Sequence, residues 1–110
     1  MDSYYKPDHL PKFPTIAEGN SELAAKFFDW YGEVFKDGAL TEREKSLIAL
    51  AVAHAIQCPY CIDSYANDAL QKGSDLAEMT EAIHVAAAIR GGASLVHGVQ
   101  MLEHVKKKAM

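Results

Sequence analysis

Cys58 and Cys61 are the only cysteines of the 110-residue chain, and they stand three apart in the stretch Gln57-Cys58-Pro59-Tyr60-Cys61-Ile62-Asp63-Ser64-Tyr65. Across one helical turn their Cα atoms fall within the ~4.4–6.8 Å that a disulfide spans, so the pair is able to close and open with little backbone movement. Proline disfavours helical backbone for the residue before it and suits the first position of a new helix. A helix is therefore expected from Pro59, with Cys58 as its N-cap and Cys61 at its third position. Thiolates placed there meet unpaired backbone N–H groups and the positive end of the helix dipole, which lowers a cysteine pKa. Such a site suits attack on a peroxide or a disulfide, the second thiol then resolving the sulfenate or mixed disulfide.

Two plainer readings compete. One is a pair of inert buried thiols, since cysteine is commonly buried. The other is zinc, but a structural zinc site wants a second Cys or His pair at similar spacing. The chain has no second cysteine pair, and His54, His84, His97 and His104 do not form a compact ligand motif. No metal and no cofactor is expected.

Among the histidines, His54 lies four residues before Cys58, one turn back on the same helix face if the helix continues. Its ordinary pKa near 6.5 suits proton shuttling; the alternative is a ring satisfied by a carbonyl. His84, between Ile83 and Val85, reads as a core or interface histidine. His97, after Gly91-Gly92, is placed to reach the cysteine pocket within a bundle or an oligomer. Asp63 and Ser64 flank the motif, and a carboxylate in a first helical turn is favoured in any case.

The elements that must hold these residues read as helices. Residues 1–20 carry Pro7, Pro11, Pro14 and Gly19 and are expected to form an extended N-terminal arm. Tyr4, Tyr5, Leu10, Phe13 and Ile16 give it apolar weight to pack on something, a neighbouring subunit included. The helical domain then covers 21–110. Leu23, Phe27, Tyr31 and Val34 recur at helical spacing from a start near Asn20 or Ser21, and with Trp30 read as core. Thr41-Glu42-Arg43-Glu44 is a capping box that opens a second helix. That helix is apolar almost all round, which points to burial by other subunits as well as by its own core. The third helix is expected to run from Pro59 to about Lys72 and stop at Gly73. A fourth, capped by Ser74 or Asp75, should reach Arg90, with Gly91-Gly92 as a tight turn before a last helix through Leu95 to Val105. No period-two strand pattern is evident. The expected class is all-α, a bundle of about five helices.

Composition narrows the partners. The formal net charge is −4 and 49% of residues are apolar, and the one basic run is Lys106-Lys107-Lys108. Lysines at a helix C-terminus are favoured by the dipole, so this run is a poor argument for nucleic acid or anionic lipid. The N-terminus lacks the apolar run of a signal peptide, and no stretch approaches the ~20 apolar residues of a membrane span. A cytoplasmic protein is expected. In that compartment a close cysteine pair is more often redox-active or metal-binding than a permanent staple.

The stretch from Ala39-Leu40-Thr41-Glu42-Arg43-Glu44 through Cys58-Pro59-Tyr60-Cys61, together with Gly73 and Glu81-Ala82-Ile83-His84 through His97, resembles the carboxymuconolactone decarboxylase/AhpD-like superfamily over about residues 22–105. The resemblance implies an all-helical fold assembled as trimers or hexamers, and in the redox branch an alkylhydroperoxidase-like activity. It implies Cys61 as the attacking thiol, with a low pKa, and Cys58 as the resolving one. The substrate would be a hydroperoxide or a disulfide, and an external dithiol would recycle the pair. The decarboxylase branch lacks this cysteine pair.

The usual proton relay of that branch is missing. Ser46 stands where a glutamate is common, Tyr65 where a histidine follows the second cysteine, and Tyr60 where a histidine can precede it. Glu44 is two residues off the glutamate position, about 200° round the helix, and its capping role already accounts for it. Tyrosine, with a pKa of about 10, is a poor base at neutral pH but a usable hydrogen-bond donor. His54 is the expected substitute. With Tyr65 in place of the histidine, the pattern is most similar to a peroxidase-like subgroup associated with arsenosugar biosynthesis. Vicinal thiolates are also soft ligands for an element such as arsenic. A dithiol that binds a metalloid or a partner enzyme, and an inactive scaffold, are the competing classes.

Overall fold

The computed structural model describes residues 3–109, and among them there are helices and no strand. The order is a 3-10 segment Pro7–Glu18, then α1 Ser21–Val34, α2 Glu42–Ala55, α3 Pro59–Gln71, α4 Leu76–Val96 and α5 Gly98–Ala109. Three of the starts carry side-chain caps through oxygen. The Asn20 side chain accepts the Leu23 N–H at 3.1 Å. The Thr41 and Glu44 pair and the Asp75 and Glu78 pair each form a reciprocal capping box. Each such cap contributes roughly 1 kcal/mol.

α2 lies at the centre, with α3 and α4 packed against it. Its buried residues are Ser46, Leu50 and Ala53, and small residues of its two neighbours, Ala69 of α3 and Ala86 of α4, are buried too. Arg43 pairs with Glu78 near the starts of α2 and α4, and Arg90 Nη1 donates to the Ala55 carbonyl at 2.5 Å near the end of α2. The two ties come in the same order along both helices, so α2 and α4 run parallel. Lys45 Nζ donates to the carbonyls of Val34 and Lys36 at 2.8 and 2.6 Å and so closes the end of α1 onto α2.

Two segments differ from expectation. The arm is wound into 3-10 turns over Pro7–Glu18 instead of being extended. Proline fixes φ near −65°, a value that 3-10 turns share, and its missing N–H rules out only its own bond. Gly91-Gly92 is not a turn: α4 continues through both glycines to Val96, and the break falls at His97. A glycine costs a helix about 1 kcal/mol, which Ala86-Ala87-Ala88-Ile89 before and Leu95 after outweigh. Nothing lies within 4 Å of where a Cβ would sit on either glycine, so that side of α4 is open.

A single chain leaves much apolar surface uncovered. Its radius of gyration is 19.0 Å, against about 13 Å for a compact chain of this length. Val85, Ile89, Leu95 and Val96 on α4, and Val99, Met101, Leu102 and Val105 on α5, are each more than half exposed. α5 packs on the end of α4 and buries none of its own residues. On α2 the buried side is one face only; Ile48, Val52 and Ile56 are about half exposed or more. No helix among the described residues is long and apolar enough to cross a membrane.

Candidate active site

The link between α2 and α3 aims the cysteines. The Cys58 N–H bonds the Ala53 carbonyl at 3.0 Å and the Gln57 N–H bonds the His54 carbonyl at 3.2 Å. This is a Schellman closure of α2, and it puts Gln57 at φ 55°, in the left-handed region. The end of α3 closes the same way, with Gly73 at φ 88° and Ser74 N–H on the Ala69 carbonyl at 3.0 Å. Glycine takes that conformation freely; glutamine does so at a cost of about 1–2 kcal/mol. The chain thus turns sharply one residue before the motif, and Pro59 starts α3 at once.

Cys58 is the N-cap of α3, as expected, and its Sγ accepts the Cys61 N–H at 3.4 Å. Both thiols are free and partly buried. They are not equivalent. A hydrogen bond from the Cys61 thiol and the backbone N–H groups of Cys61 and Tyr60 hold Cys58 below the ordinary cysteine range, against some desolvation. Burial, the hydrogen bond to Cys58 and its charge push Cys61 up to about 11. This reverses the expectation that Cys61 carries the low pKa. The cap position, not the third position, receives the convergent N–H groups, and one negative charge on Cys58 opposes a second beside it.

Cys61, not Cys58, lines two apolar hollows. One, of about 450 Å³, lies between α1, α2 and α3 and is walled by Val34, Phe35, Ile48, Val52 and Ile56. The other, of about 400 Å³, lies beneath the arm, against Leu10, Phe13, Pro14 and Phe28. Tyr31 and Tyr65 line both. Tyr65 is one turn after Cys61 on α3, with its ring stacked on Phe35 at 5.2 Å. Tyr31 reaches the site from α1, and its ring contacts Phe27 and Phe35 at 5.5 and 5.0 Å. Burial first, then the neighbouring Cys61, Asp68 and Cys58 charges, raise its pKa and keep the hydroxyl protonated. Sequence reasoning put Tyr31 in the core; its spacing from Phe27 and Phe35 is that of a packing residue.

The arm bears on the motif. Tyr5 stands edge-on to Tyr60 at 4.8 Å, and its hydroxyl donates to Asp63 Oδ2 at 3.2 Å. The Lys6 N–H reaches the Tyr60 hydroxyl at 3.4 Å.

The histidines do not gather here. His54 Nδ1 is bonded to the Leu50 carbonyl at 2.9 Å, one turn back. The ring lines a separate hollow with Ile83, Ala86 and Arg90, and neither of the two hollows that Cys61 lines includes it. The expected relay geometry required α2 to run on to Cys58, and the left-handed Gln57 ends that register. His97 caps the end of α4, exposed, with Nδ1 3.3 Å from Gln100 Oε1. His84 is exposed in the single chain. Ser46 is fully buried, and its hydroxyl donates to the Arg43 carbonyl at 2.6 Å. Among the described residues no cluster of three or more His, Cys, Asp or Glu side chains is arranged to hold a metal ion.

Fold and site define an all-helical protein with a free dithiol at a helix start, opening on apolar hollows. The chain belongs to the carboxymuconolactone decarboxylase family, which it matches over residues 21–104. It is similar to the crystal structure of apo-lpg0406, a carboxymuconolactone decarboxylase family protein from Legionella pneumophila. The TM-score is 0.69 with 31% identity, over 87% of this chain and 86% of that one. A crystal structure of a protein from Methanobacterium thermoautotrophicum gives a TM-score of 0.75 with 36% identity, over 78% of this chain and 97% of that one. The chain is also 48% identical over 69 residues to uncharacterized protein 4 in the cox locus of Paracoccus denitrificans. That match spans 63% of this chain and 62% of the relative's length.

Proposed function

We propose that the protein is a thiol-disulfide oxidoreductase that reduces alkyl hydroperoxides through Cys61 and Cys58. The observation that carries this reading is the division of labour in the pair: Cys61 opens on the apolar hollows, while Cys58 holds the negative charge at the start of α3. The alkyl group of a hydroperoxide fits hollows of this lining. Cys58 thiolate accepts the Cys61 proton, and the new Cys61 thiolate attacks the distal peroxide oxygen. The O–O bond breaks, Cys61 becomes a sulfenic acid, and the alkoxide leaves as the alcohol on taking a proton. Cys58, again a thiolate, attacks the Cys61 sulfur; hydroxide departs, takes a solvent proton and becomes water. Two electrons from an external dithiol reopen the disulfide. In this scheme Cys58 serves as the base that Ser46, Tyr65 and His54 do not supply. A free dithiol of this kind suits the reducing cytoplasm.

The test is thiol loss after one equivalent of an organic hydroperoxide is added to reduced protein, with Cys58→Ser and Cys61→Ser alongside. Fast loss of two thiols, abolished in Cys61→Ser and, in Cys58→Ser, slowed by loss of the base and halted at a trappable sulfenic acid, is the expected result. Loss no faster than for a free thiol overturns it. That outcome favours the dithiol as a ligand for a soft metalloid, to be tested with trivalent arsenic, a reading in keeping with the arsenosugar-associated resemblance and the missing relay.

The protein also works as a homo-oligomer on this reading. Its surface of 8584 Å² exceeds the roughly 6,000 Å² expected for a compact monomer of this mass by about 2,500 Å². The apolar strip along α4 and α5 and the open glycine side of α4 are the surfaces for other copies. Sedimentation should give a trimer or a hexamer; a monomer at micromolar concentration refutes the assembly.

A further inference from the structure

The O–O bond of a hydroperoxide breaks only as fast as its leaving oxygen can shed negative charge. Displacement at oxygen needs the attacking sulfur, the attacked oxygen and the leaving oxygen in line. With Cys61 on α3 as attacker, the leaving oxygen lies across the hollow, away from α3. Tyr31 faces that space from another element: it belongs to α1, and it lines both hollows that Cys61 lines. Among the described residues its hydroxyl has no hydrogen-bond partner, so its proton is uncommitted. Tyr65 lines the same hollows but belongs to α3 itself, one turn behind the attacking sulfur. Tyr60 lines only the hollow beneath the arm and not the larger one.

We propose that Tyr31 is the catalytic proton donor to the leaving alkoxide, an assignment that rests on the hydroperoxide reading above. As the O–O bond breaks, the Tyr31 O–H bond transfers its proton to the alkoxide and releases the alcohol. The phenolate is reprotonated by the Cys58 thiol, which holds the proton taken from Cys61. Cys58 returns to the thiolate it must be to attack the sulfenic acid. One proton thus circulates from Cys61 to Cys58 to Tyr31, and no histidine or glutamate is needed. Burial, the largest cause of the raised Tyr31 pKa, disfavours the phenolate and so favours return of the proton after each turnover.

The experiment compares two oxidants on the full-length reduced protein. An alkyl hydroperoxide expels an alkoxide, which needs a proton. A peroxycarboxylic acid expels a carboxylate, which does not. Tyr31→Phe keeps the ring contacts with Phe27 and Phe35 and removes only the hydroxyl. It should slow sulfenic acid formation from the alkyl hydroperoxide about 100-fold, the lower end of the usual general-acid effect. The peroxycarboxylic acid rate should stay within about twofold, as a lost proton donor would leave it. Difluorotyrosine at position 31, which retains a hydroxyl, should keep both reactions fast. Equal slowing with both oxidants, or selective loss in Tyr65→Phe instead, overturns the assignment while leaving the peroxidase reading intact. A wild-type protein no faster than a free thiol with the alkyl hydroperoxide overturns both.

Discussion

The order of charge in the cysteine pair is the prediction with the most direct readout. With Cys61 pushed up to about 11, roughly one molecule in ten thousand carries a Cys61 thiolate at pH 7. Cys58, held down by the Cys61 thiol and two backbone N–H groups, is then the thiolate that a small alkylating agent meets. Rates of iodoacetamide labelling, resolved by residue with peptide mass spectrometry from pH 5 to 11, should show Cys58 modified at least about tenfold faster than Cys61 at pH 7, the greater nucleophilicity of the more basic thiolate offsetting part of its scarcity. Cys58→Ala removes a hydrogen bond and a like charge from Cys61, so its titration should move down from about 11. It should stay above the ordinary cysteine value, because burial, the largest cause of the shift, remains. Cys61→Ala removes the principal donor to Cys58, whose titration should move up. Preferential labelling of Cys61 at neutral pH, or a fall in the Cys58 titration in Cys61→Ala, would refute the reasoning.

Other outcomes follow from the same contacts. Gln57→Gly should stabilise the protein by roughly 0.5–1 kcal/mol, since the strained turn costs about 1–2 kcal/mol and a glycine returns part of that as chain entropy; urea unfolding measures it. Gly73→Ala should destabilise by about 1 kcal/mol in the same assay, because φ 88° lies outside the range a Cβ tolerates easily. His54→Gln should leave the labelling order and the rate of peroxide-driven thiol loss unchanged, for the imidazole is engaged with Leu50 and faces another hollow; a loss of tenfold or more restores it as a relay. Tyr5→Ala should loosen the arm from the motif, visible as faster amide exchange over residues 59–63 with little change in global stability, since the contact is one exposed-edge aromatic pair and one hydrogen bond.

The local chemistry of the helix ends was readable in the sequence because each signal lies within four residues. Thr41 with Glu44, Asp75, Cys58 before Pro59, and Gly73 all do what their types demand. Gly91-Gly92 misleads for a complementary reason: a glycine pair signals a turn only where nothing else holds the helix, and here the flanking alanines and aliphatics do. The expected alignment of His54 with Cys58 failed on one backbone angle. A glutamine in the left-handed region has no sequence signature, yet it decides whether positions 54 and 58 share a face. Tyr31 was hidden because its place beside the hollows that Cys61 lines is a long-range one, which the Phe27-Tyr31-Phe35 spacing does not announce. The unequal thiols were legible only in part: proximity to a helix start was evident, but which sulfur receives the N–H groups is a matter of side-chain direction.

Cys58 acts as a helix cap through its sulfur, and that has a bearing on reduction potential. The thiolate accepts the Cys61 N–H and faces the positive end of α3 only while the pair is reduced. Once the sulfur is bonded to Cys61 it carries no charge for that end to stabilise. Whatever the cap contributes therefore belongs to the dithiol alone, and it favours reduction of the disulfide, in the direction that makes a pair more oxidising. Each 1.4 kcal/mol of such preference corresponds to about 30 mV. On the proposed redox reading, an ordinary dithiol donor should therefore return the disulfide readily to the dithiol.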